Sequence, residues 1–113
     1  MSVLPERGHL VWVDFSPHSG HEQAGRRPAL VISSKIYHQK SSFVLVCPIT
    51  SNVTPWPWKV ILPQGSLIQG AVLVDQLKSI DRIARNVTVT EIVSRDVMDE
   101  VTGKIAALLH TQQ

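Results

Sequence analysis

The stretch HLVWVDFSPHSGHEQAGRRPALVIS, residues 9–33, contains two apolar segments separated by a polar one. Residues 9–15 are rich in β-branched and aromatic side chains, which favour strands. Residues 16–27 include one proline and two glycines among many polar residues, a composition typical of a long loop. Pro28 is expected to open a second strand over residues 29–33, because proline is tolerated at the first position of a strand. The stretch therefore predicts two strands joined by a polar loop that ends in two arginines.

The rest of the chain continues as short strands and ends as a helix. Further strands are predicted over residues 43–49, 58–62, 71–74, 78–83 and 87–89. Near the end, apolar residues recur at spacings of four, four and three, which places on one side of a helix Val97, Val101, Ile105 and Leu108. Ser94 is the predicted N-cap of this helix. The pattern predicts a mainly β fold with a C-terminal α-helix, a small β-barrel in which residues 1–113 form one domain.

The composition is that of a folded globular protein. Of 113 residues, 43% are hydrophobic and 18% are charged, which excludes a disordered chain. No apolar run is long enough to cross a membrane and the first residues lack a secretory signal pattern, so we expect a cytoplasmic protein without membrane contact. The single cysteine, Cys47, lies in an apolar run and is expected in the core. A net charge of +2 permits an anionic partner such as RNA or an acidic peptide.

The common metal and nucleotide motifs are missing from the sequence. The histidines have no His-x-x-x-His spacing and there is no cysteine pair, so no metal site is predicted. No Gly-x-Gly-x-x-Gly, Walker or Gly-x-Ser-x-Gly motif occurs, and no cofactor is expected. What remains is a set of polar residues near the ends of the predicted strands, namely His21, Glu22, Gln23, Arg27, Thr50, Asp75, Gln76, Lys78 and Arg85.

Three segments together resemble one known family. The order RGHLVWVDFSPHSGHEQAGRRPALVIS, then VCPITS, then GAVLVDQLKSIDRIAR is similar to the MazF/PemK/Kid toxins of bacterial toxin–antitoxin pairs. The resemblance runs from about residue 7 to the final helix, and GHEQAGRRP and VDQLKSID are its most specific parts. It implies an SH3-like small β-barrel of the kind shared by MazF, PemK and CcdB, assembled as a symmetric homodimer.

The resemblance also implies an activity and a partner. Members are mRNA interferases, hydrolases that cleave single-stranded mRNA at short sequences and arrest growth. They are endoribonucleases that act without metal or ribosome and leave a 2′,3′-cyclic phosphate. A cognate antitoxin with a disordered acidic tail covers their RNA site.

Two residues of this chain match the family positions most closely tied to cleavage, Arg27 and Thr50. A guanidinium binds two phosphoryl oxygens at once, and preorganised donors of this kind stabilise the charge that develops as the 2′-hydroxyl attacks phosphorus. Arg27 is therefore expected to stabilise the transition state, and a surface ion pair with Glu22 is the alternative. The hydroxyl of Thr50 is suited to donating to a phosphate oxygen or orienting the 2′-hydroxyl, and the alternative is a threonine that ties down a turn.

The acid–base residue has two candidates. His21 has a suitable intrinsic pKa and matches the histidine of the Kid branch. Asp75 matches the aspartate that the Kid branch uses as a base, but the arginine found two residues earlier in that branch is Leu73 here. This departure favours a scheme based on Arg27 and Thr50. Asp75 is then expected to tie strand ends together through hydrogen bonds.

A wider set of residues is expected to contact the RNA. For Arg26, strand alternation directs the side chain away from that of Arg27, toward backbone phosphates or solvent. For Trp56, in the loop TPWPWK, stacking on an unpaired base is one interpretation, and anchoring of the loop or a dimer contact is another. The predicted RNA-binding residues are Glu22, Gln23, Arg26, Trp56, Gln76, Lys78 and Arg85.

Two other functions fit a small barrel. A CcdB-like toxin would bind a topoisomerase through a C-terminal Trp-Gly-Ile tail, whereas this sequence ends LLHTQQ. A non-catalytic barrel would only bind an acidic peptide.

Overall fold

The structure, a computed structural model, describes residues 3–15 and 25–110. These ranges contain seven strands: β1 His9–Phe15, β2 Gly25–Val31, β3 Phe43–Thr50, β4 Lys59–Ile61, β5 Ala71–Leu73, β6 Lys78–Asp81 and β7 Thr88–Ile92. Helix α1, Lys35–Lys40, precedes β3, and helix α2, Arg95–Leu109, follows β7. A single 3-10 turn, Val74–Gln76, separates β5 from β6. The predicted mainly β fold with a C-terminal α-helix is confirmed.

All strand pairs of the sheet are antiparallel, and β3 is its hub. The path of neighbouring strands runs β4-β5-β3-β2-β1-β7, and β6 pairs with β3 off this path. The first half of β3 pairs with β6, and its last two residues pair with β5. Within the described ranges the path ends at β4 and β7, so the small barrel expected from the sequence is open at this seam.

Strand alternation divides the core into two clusters, one on each face of the sheet. Cluster 1 includes Leu10, Leu30, Cys47 and Ile49, and α2 covers it with Val97 and Val101. Cluster 2 contains the alternate residues of β1, β2 and β3 together with one residue of β6, namely Val11, Val13, Phe15, Ala29, Val31, Val44, Val46 and Ile80. The two clusters fix which face of the sheet each polar residue at a strand end shares.

Helix α2 follows its sequence pattern closely. Ser94 accepts a hydrogen bond from the backbone N–H of Val97 at 3.3 Å, as expected of an N-cap. Ile105 packs against cluster 1, but Leu108 at the end of the predicted stripe is 41% exposed. The apolar face of α2 therefore continues beyond the core of the chain.

The second strand begins earlier than predicted. It starts at Gly25 and not after Pro28, so Arg26, Arg27 and Pro28 all lie inside β2. Pro28 pairs with Trp12 of β1, and β3 joins β2 only at the next residue. A proline is tolerated here because this part of β2 has one neighbouring strand in the ladder and not two. The two arginines therefore stand on a strand and not on a loop.

None of the helices within residues 3–15 and 25–110 combines the length and the apolar character needed to span a membrane.

Candidate functional site

Arg27 and Thr50 extend from neighbouring strands at the same end of the sheet. The last pair of the β2–β3 ladder is Ala29↔Pro48, and Arg27 and Thr50 each lie two residues beyond it. Because side chains alternate along a strand, Arg27 shares the face of Ala29, which belongs to cluster 2. Thr50 shares that face through Val46. The two residues singled out for cleavage thus project from one face of the sheet, and Arg27 is exposed.

The position of Thr50 is fixed by the loop that follows it. Its Oγ1 accepts the backbone N–H of Asn52 at 3.1 Å, and the Asn52 side chain accepts the N–H of Thr54 at 2.9 Å. The turn-forming interpretation of Thr50 is therefore realised. It leaves the hydroxyl hydrogen as a donor, since a hydroxyl has one donor and two acceptor sites.

Gly70 allows β5 to approach Thr50. It has a φ of +127°, a backbone angle that residues with a side chain rarely adopt. A Cβ built on it would collide with the carbonyl oxygen of Thr50. The next residue, Ala71, pairs with Thr50. Sequence reasoning missed this glycine, and its only signal was a glycine directly before a predicted strand.

Arg26 faces the opposite side of the sheet from Arg27, as predicted. Its guanidinium donates to Asp14 Oδ1 at 2.8 Å, to Thr88 Oγ1 at 3.0 Å and to the carbonyl of Asn86 at 3.3 Å. These bonds join β2 to β1 and to the start of β7. Arg26 is thus part of the strand framework, and its contact with RNA stays a prediction.

Two further cations lie at this end of the sheet. Lys78 pairs with Val46 and its Nζ lies 5.2 Å from the centre of the Phe15 ring, over cluster 2. The backbone carbonyl of Arg85 accepts the N–H of Asp14 at 2.8 Å, which places the turn after β6 against the end of β1. The structure therefore brings Lys78 to the same face as Arg27, with Arg85 near the end of β1.

Asp75 and Trp56 form a separate pair. The indole Nε1–H of Trp56 donates to Asp75 Oδ2 at 3.1 Å, and 49% of Trp56 is exposed. Asp75 thus ties a loop to the turn between β5 and β6. The adjacent Gln76 has a buried Oε1 for which the described part of the chain provides no hydrogen-bond partner.

Three predicted site residues, His21, Glu22 and Gln23, lie outside the described residues. Their roles stay predictions.

The lone thiol is inert core, as expected. Cys47 is fully buried, and burial, with a smaller contribution from the Asp75 carboxylate, raises its pKa to about 12. A thiol with so high a pKa supplies almost no nucleophilic thiolate near neutral pH. Among residues 3–15 and 25–110, no group of three potential metal ligands occurs.

The fold and the matched segments point to one family. The model of the PemK-like, MazF-like toxins of type II toxin–antitoxin systems matches residues 6–109. The chain belongs to this family. The MazF endoribonuclease toxin of Escherichia coli K12 is 39% identical over 106 residues, which cover 94% of this chain and 95% of that protein. The PemK endoribonuclease of Escherichia coli is 32% identical over 108 residues, covering 92% of this chain and 81% of that protein.

Solved MazF structures have the same fold. The crystal structure of MazF from Deinococcus radiodurans has a TM-score of 0.90 and 41% identity, and covers 96% of this chain and 98% of its own. A MazE–MazF crystal structure from the same organism has a TM-score of 0.86 and 41% identity, covering 96% and 97% of the two chains. The open sheet with a C-terminal helix is thus the MazF fold.

Proposed function

We propose that this protein is a sequence-specific, ribosome-independent endoribonuclease toxin that cleaves single-stranded RNA without a metal. Membership of the PemK-like, MazF-like family supports the activity, because similar members are named endoribonucleases. The observation that carries the proposal for the site is the shared sheet face of Arg27 and Thr50 at the end of the β2–β3 ladder.

Arg27 is the proposed transition-state stabiliser. RNA carries its own nucleophile, the 2′-hydroxyl, which attacks the adjacent phosphorus as its proton passes to a base. The bond to the 5′-oxygen breaks, that oxygen takes a proton, and the products are a 2′,3′-cyclic phosphate and a 5′-hydroxyl. A guanidinium fork matches the two phosphoryl oxygens that gain charge in this step. A strand positions such a group more rigidly than a loop does, which favours preorganisation.

Thr50 is proposed to hold the phosphate or the 2′-hydroxyl. The hydrogen bond from Asn52 fixes the position of its oxygen, and the O–H then donates to the substrate. The general base stays open among His21, Asp75 and a bound water. For Asp75, one carboxylate oxygen is already engaged by Trp56.

The surrounding cations are proposed to bind backbone phosphates. Lys78 shares the face of Arg27, while Arg26 and Arg85 lie near the end of β1. Gln76, with Glu22 and Gln23 from the sequence before β2, completes the proposed RNA contacts.

The proposed partner is a cognate antitoxin with an acidic disordered tail that covers Arg27. Complexes of MazE with MazF among the similar structures support an antitoxin partner. A homodimer and a cytoplasmic location are proposed on the same family grounds.

RNA cleavage in the presence of EDTA tests the proposed function. A long single-stranded RNA should be cut at a few short sequences, with 5′-hydroxyl and cyclic phosphate ends mapped by primer extension. Intact RNA together with damaged DNA in arrested cells would instead support a topoisomerase-binding toxin. Tight binding of an acidic peptide with no cleavage of any RNA would support a non-catalytic barrel.

A further inference from the structure

The loop between β3 and β4 is exposed, yet its backbone is held in place. Residues 51–57 are all exposed. The Lys59 ammonium donates to the carbonyls of Asn52 and Thr54 at 2.9 and 3.0 Å, and Lys104 of α2 donates to the carbonyl of Pro57 at 2.6 Å. A loop tied to two lysines in this way loses little further freedom when a ligand binds.

Trp56 is the large side chain that this held loop presents. Its carbonyl accepts the N–H of Lys59 at 3.0 Å, and its indole N–H is held by Asp75 at 3.1 Å. Prolines at positions 55 and 57 restrict the backbone on both sides. Nevertheless 49% of the residue is exposed. A half-exposed aromatic ring that is already ordered is suited to binding a flat partner at low entropic cost.

We infer that Trp56 is a stacking platform for an unpaired base of the RNA, and that Asp75 is the positioning residue that orients it. This inference rests on the proposed function. The Asp75 carboxylate beside the indole disfavours a phosphate or an acidic peptide at this spot, whereas the ring face accepts any base. The ring face itself is therefore matched by an aromatic group, such as an unpaired base.

The platform lies a short distance along the chain from Thr50. Thr50 pairs with Ala71 at the start of β5, and Asp75 follows four residues later. At about 3.3 Å per extended residue, Ala71 and Asp75 are separated by at most about 13 Å. The turn that carries Asp75 therefore lies near Thr50.

The fluorescence of Trp56 tests its contact with a base directly. The chain has three tryptophans, so a Trp12→Phe, Trp58→Phe background leaves Trp56 as the reporter. The probe is short single-stranded RNA with 2′-O-methyl groups, which binds but cannot be cleaved. We expect strong quenching of Trp56 on binding. Unchanged emission at saturation, with binding followed by an end label, would overturn the inference.

Substitution of Trp56 gives the size of the effect. Trp56→Ala should weaken binding of the 2′-O-methyl RNA roughly ten- to hundredfold, the range of one base–aromatic stack. Trp12 is the matched control, because it is also exposed, at 37%, but lies on β1, and Trp12→Ala should bind RNA as the parent does. Equal affinity of Trp56→Ala and the parent would overturn the platform. A Trp56→Ala variant that keeps RNA binding but no longer binds an acidic peptide, or no longer self-associates, would also overturn the platform.

Two substitutions of Asp75 separate orientation from base catalysis. Asp75→Ala removes the acceptor of the indole N–H and should raise KM several-fold, with a change in Trp56 emission. Asp75→Asn keeps an acceptor oxygen for the indole N–H and should restore KM and the Trp56 emission. A large fall in kcat for Asp75→Asn at unchanged KM would instead make Asp75 the general base and overturn its positioning role.

These outcomes also separate the platform from the proposed nuclease. Trp56-dependent binding of 2′-O-methyl RNA by a protein that cuts no RNA would remove the activity and keep the platform. Cleavage that is indifferent to Trp56 would remove the platform and keep the activity.

Discussion

Arg27 and Thr50 lie the same two residues beyond Ala29↔Pro48, the pair that ends the β2–β3 ladder, and they share one face of the sheet. The rigid strands set the separation of the two side chains. Lys78, which lies over the Phe15 ring, adds positive charge to this face. Such an arrangement holds donors in place before the substrate arrives, and this is what stabilisation of a developing phosphoryl charge requires.

Arg26, next to Arg27, should contribute to stability and not to the chemical step. Arg26→Ala removes the hydrogen bonds to Asp14, Thr88 and Asn86, and we expect it to lower the free energy of unfolding by about 1 kcal/mol. The effect is modest because the Arg26–Asp14 pair is exposed. Urea denaturation measures the loss. The rate constant of single-turnover cleavage should stay close to that of the parent. A thousandfold fall in the cleavage rate of Arg26→Ala with unchanged stability would show that Arg26, and not Arg27, is the catalytic arginine.

Gly70 should be required for the position of Thr50. Gly70→Ala forces a Cβ against the Thr50 carbonyl at a φ of +127°, so we expect a loss of several kcal/mol in stability and a fall in cleavage rate. Thermal unfolding and cleavage assays measure the two effects.

Gly65 provides the control for Gly70. It also has a positive φ, of +94°, but a Cβ there meets nothing within 4 Å among the described residues. Gly65→Ala should therefore cost only about 1–2 kcal/mol of backbone strain and leave cleavage unchanged. Equal losses for the two variants would show that approach to Thr50 does not matter.

The Cys47 thiol should resist modification and destabilise the fold at high pH. Its pKa is raised from 9.0 to about 12, first by burial and then by Asp75. Because the unfolded chain releases this proton first, the stabilisation is complete below pH 9 and is lost as pH rises toward 12. Urea titrations from pH 8 upward should show a decline of up to about 1.4 kcal/mol per pH unit from this group. Cys47→Ala should lack that contribution, and identical pH profiles for the two proteins would contradict it.

His9 should make stability sensitive to acid. Burial, the largest cause, lowers its pKa below 6.5; Glu6 opposes this and Lys35 reinforces it. The Nδ1 atom accepts the Glu6 N–H at 2.8 Å. A lowered folded-state pKa means that stability is present above pH 6.5 and is lost as pH falls through the folded value. His9→Asn keeps an acceptor at the Nδ1 position without a charge, so its melting temperature should fall less between pH 7 and 5. A steeper fall in the variant would contradict the assignment.

Local signals in the sequence predicted most elements. The bounds of β1 match the run of β-formers, and Ser94 caps α2 as its position before the apolar stripe indicated. The predicted start of β2 is wrong, because the sequence indicates that the strand begins at Pro28. The ladder shows that proline is accepted inside β2 where β3 has not yet joined. That information is tertiary and no local pattern carries it.

For the candidate site, strand alternation predicted the face of each arginine, while the roles taken from the family resemblance stay predictions. Strand alternation correctly predicted that the Arg26 and Arg27 side chains lie on opposite faces of the sheet. Thr50 was chosen from the family resemblance. The Lys59 contacts depend on the shape of the loop, and Lys104 lies 47 residues from Pro57 in the sequence, so residue type alone does not predict these contacts. The collision that requires Gly70 is likewise a property of two strands brought together.

The proposed roles of Arg27 and Thr50 are tested by cleavage of a long single-stranded RNA in EDTA by the parent, Arg27→Ala and Thr50→Val. We expect the parent to cut at a few mapped sequences. Arg27→Ala, folded by circular dichroism, should be slower by roughly a hundred- to thousandfold, the range for loss of one preorganised donor, with Thr50→Val also impaired. A folded Arg27→Ala protein that cuts the same sites at the parent rate would contradict the account.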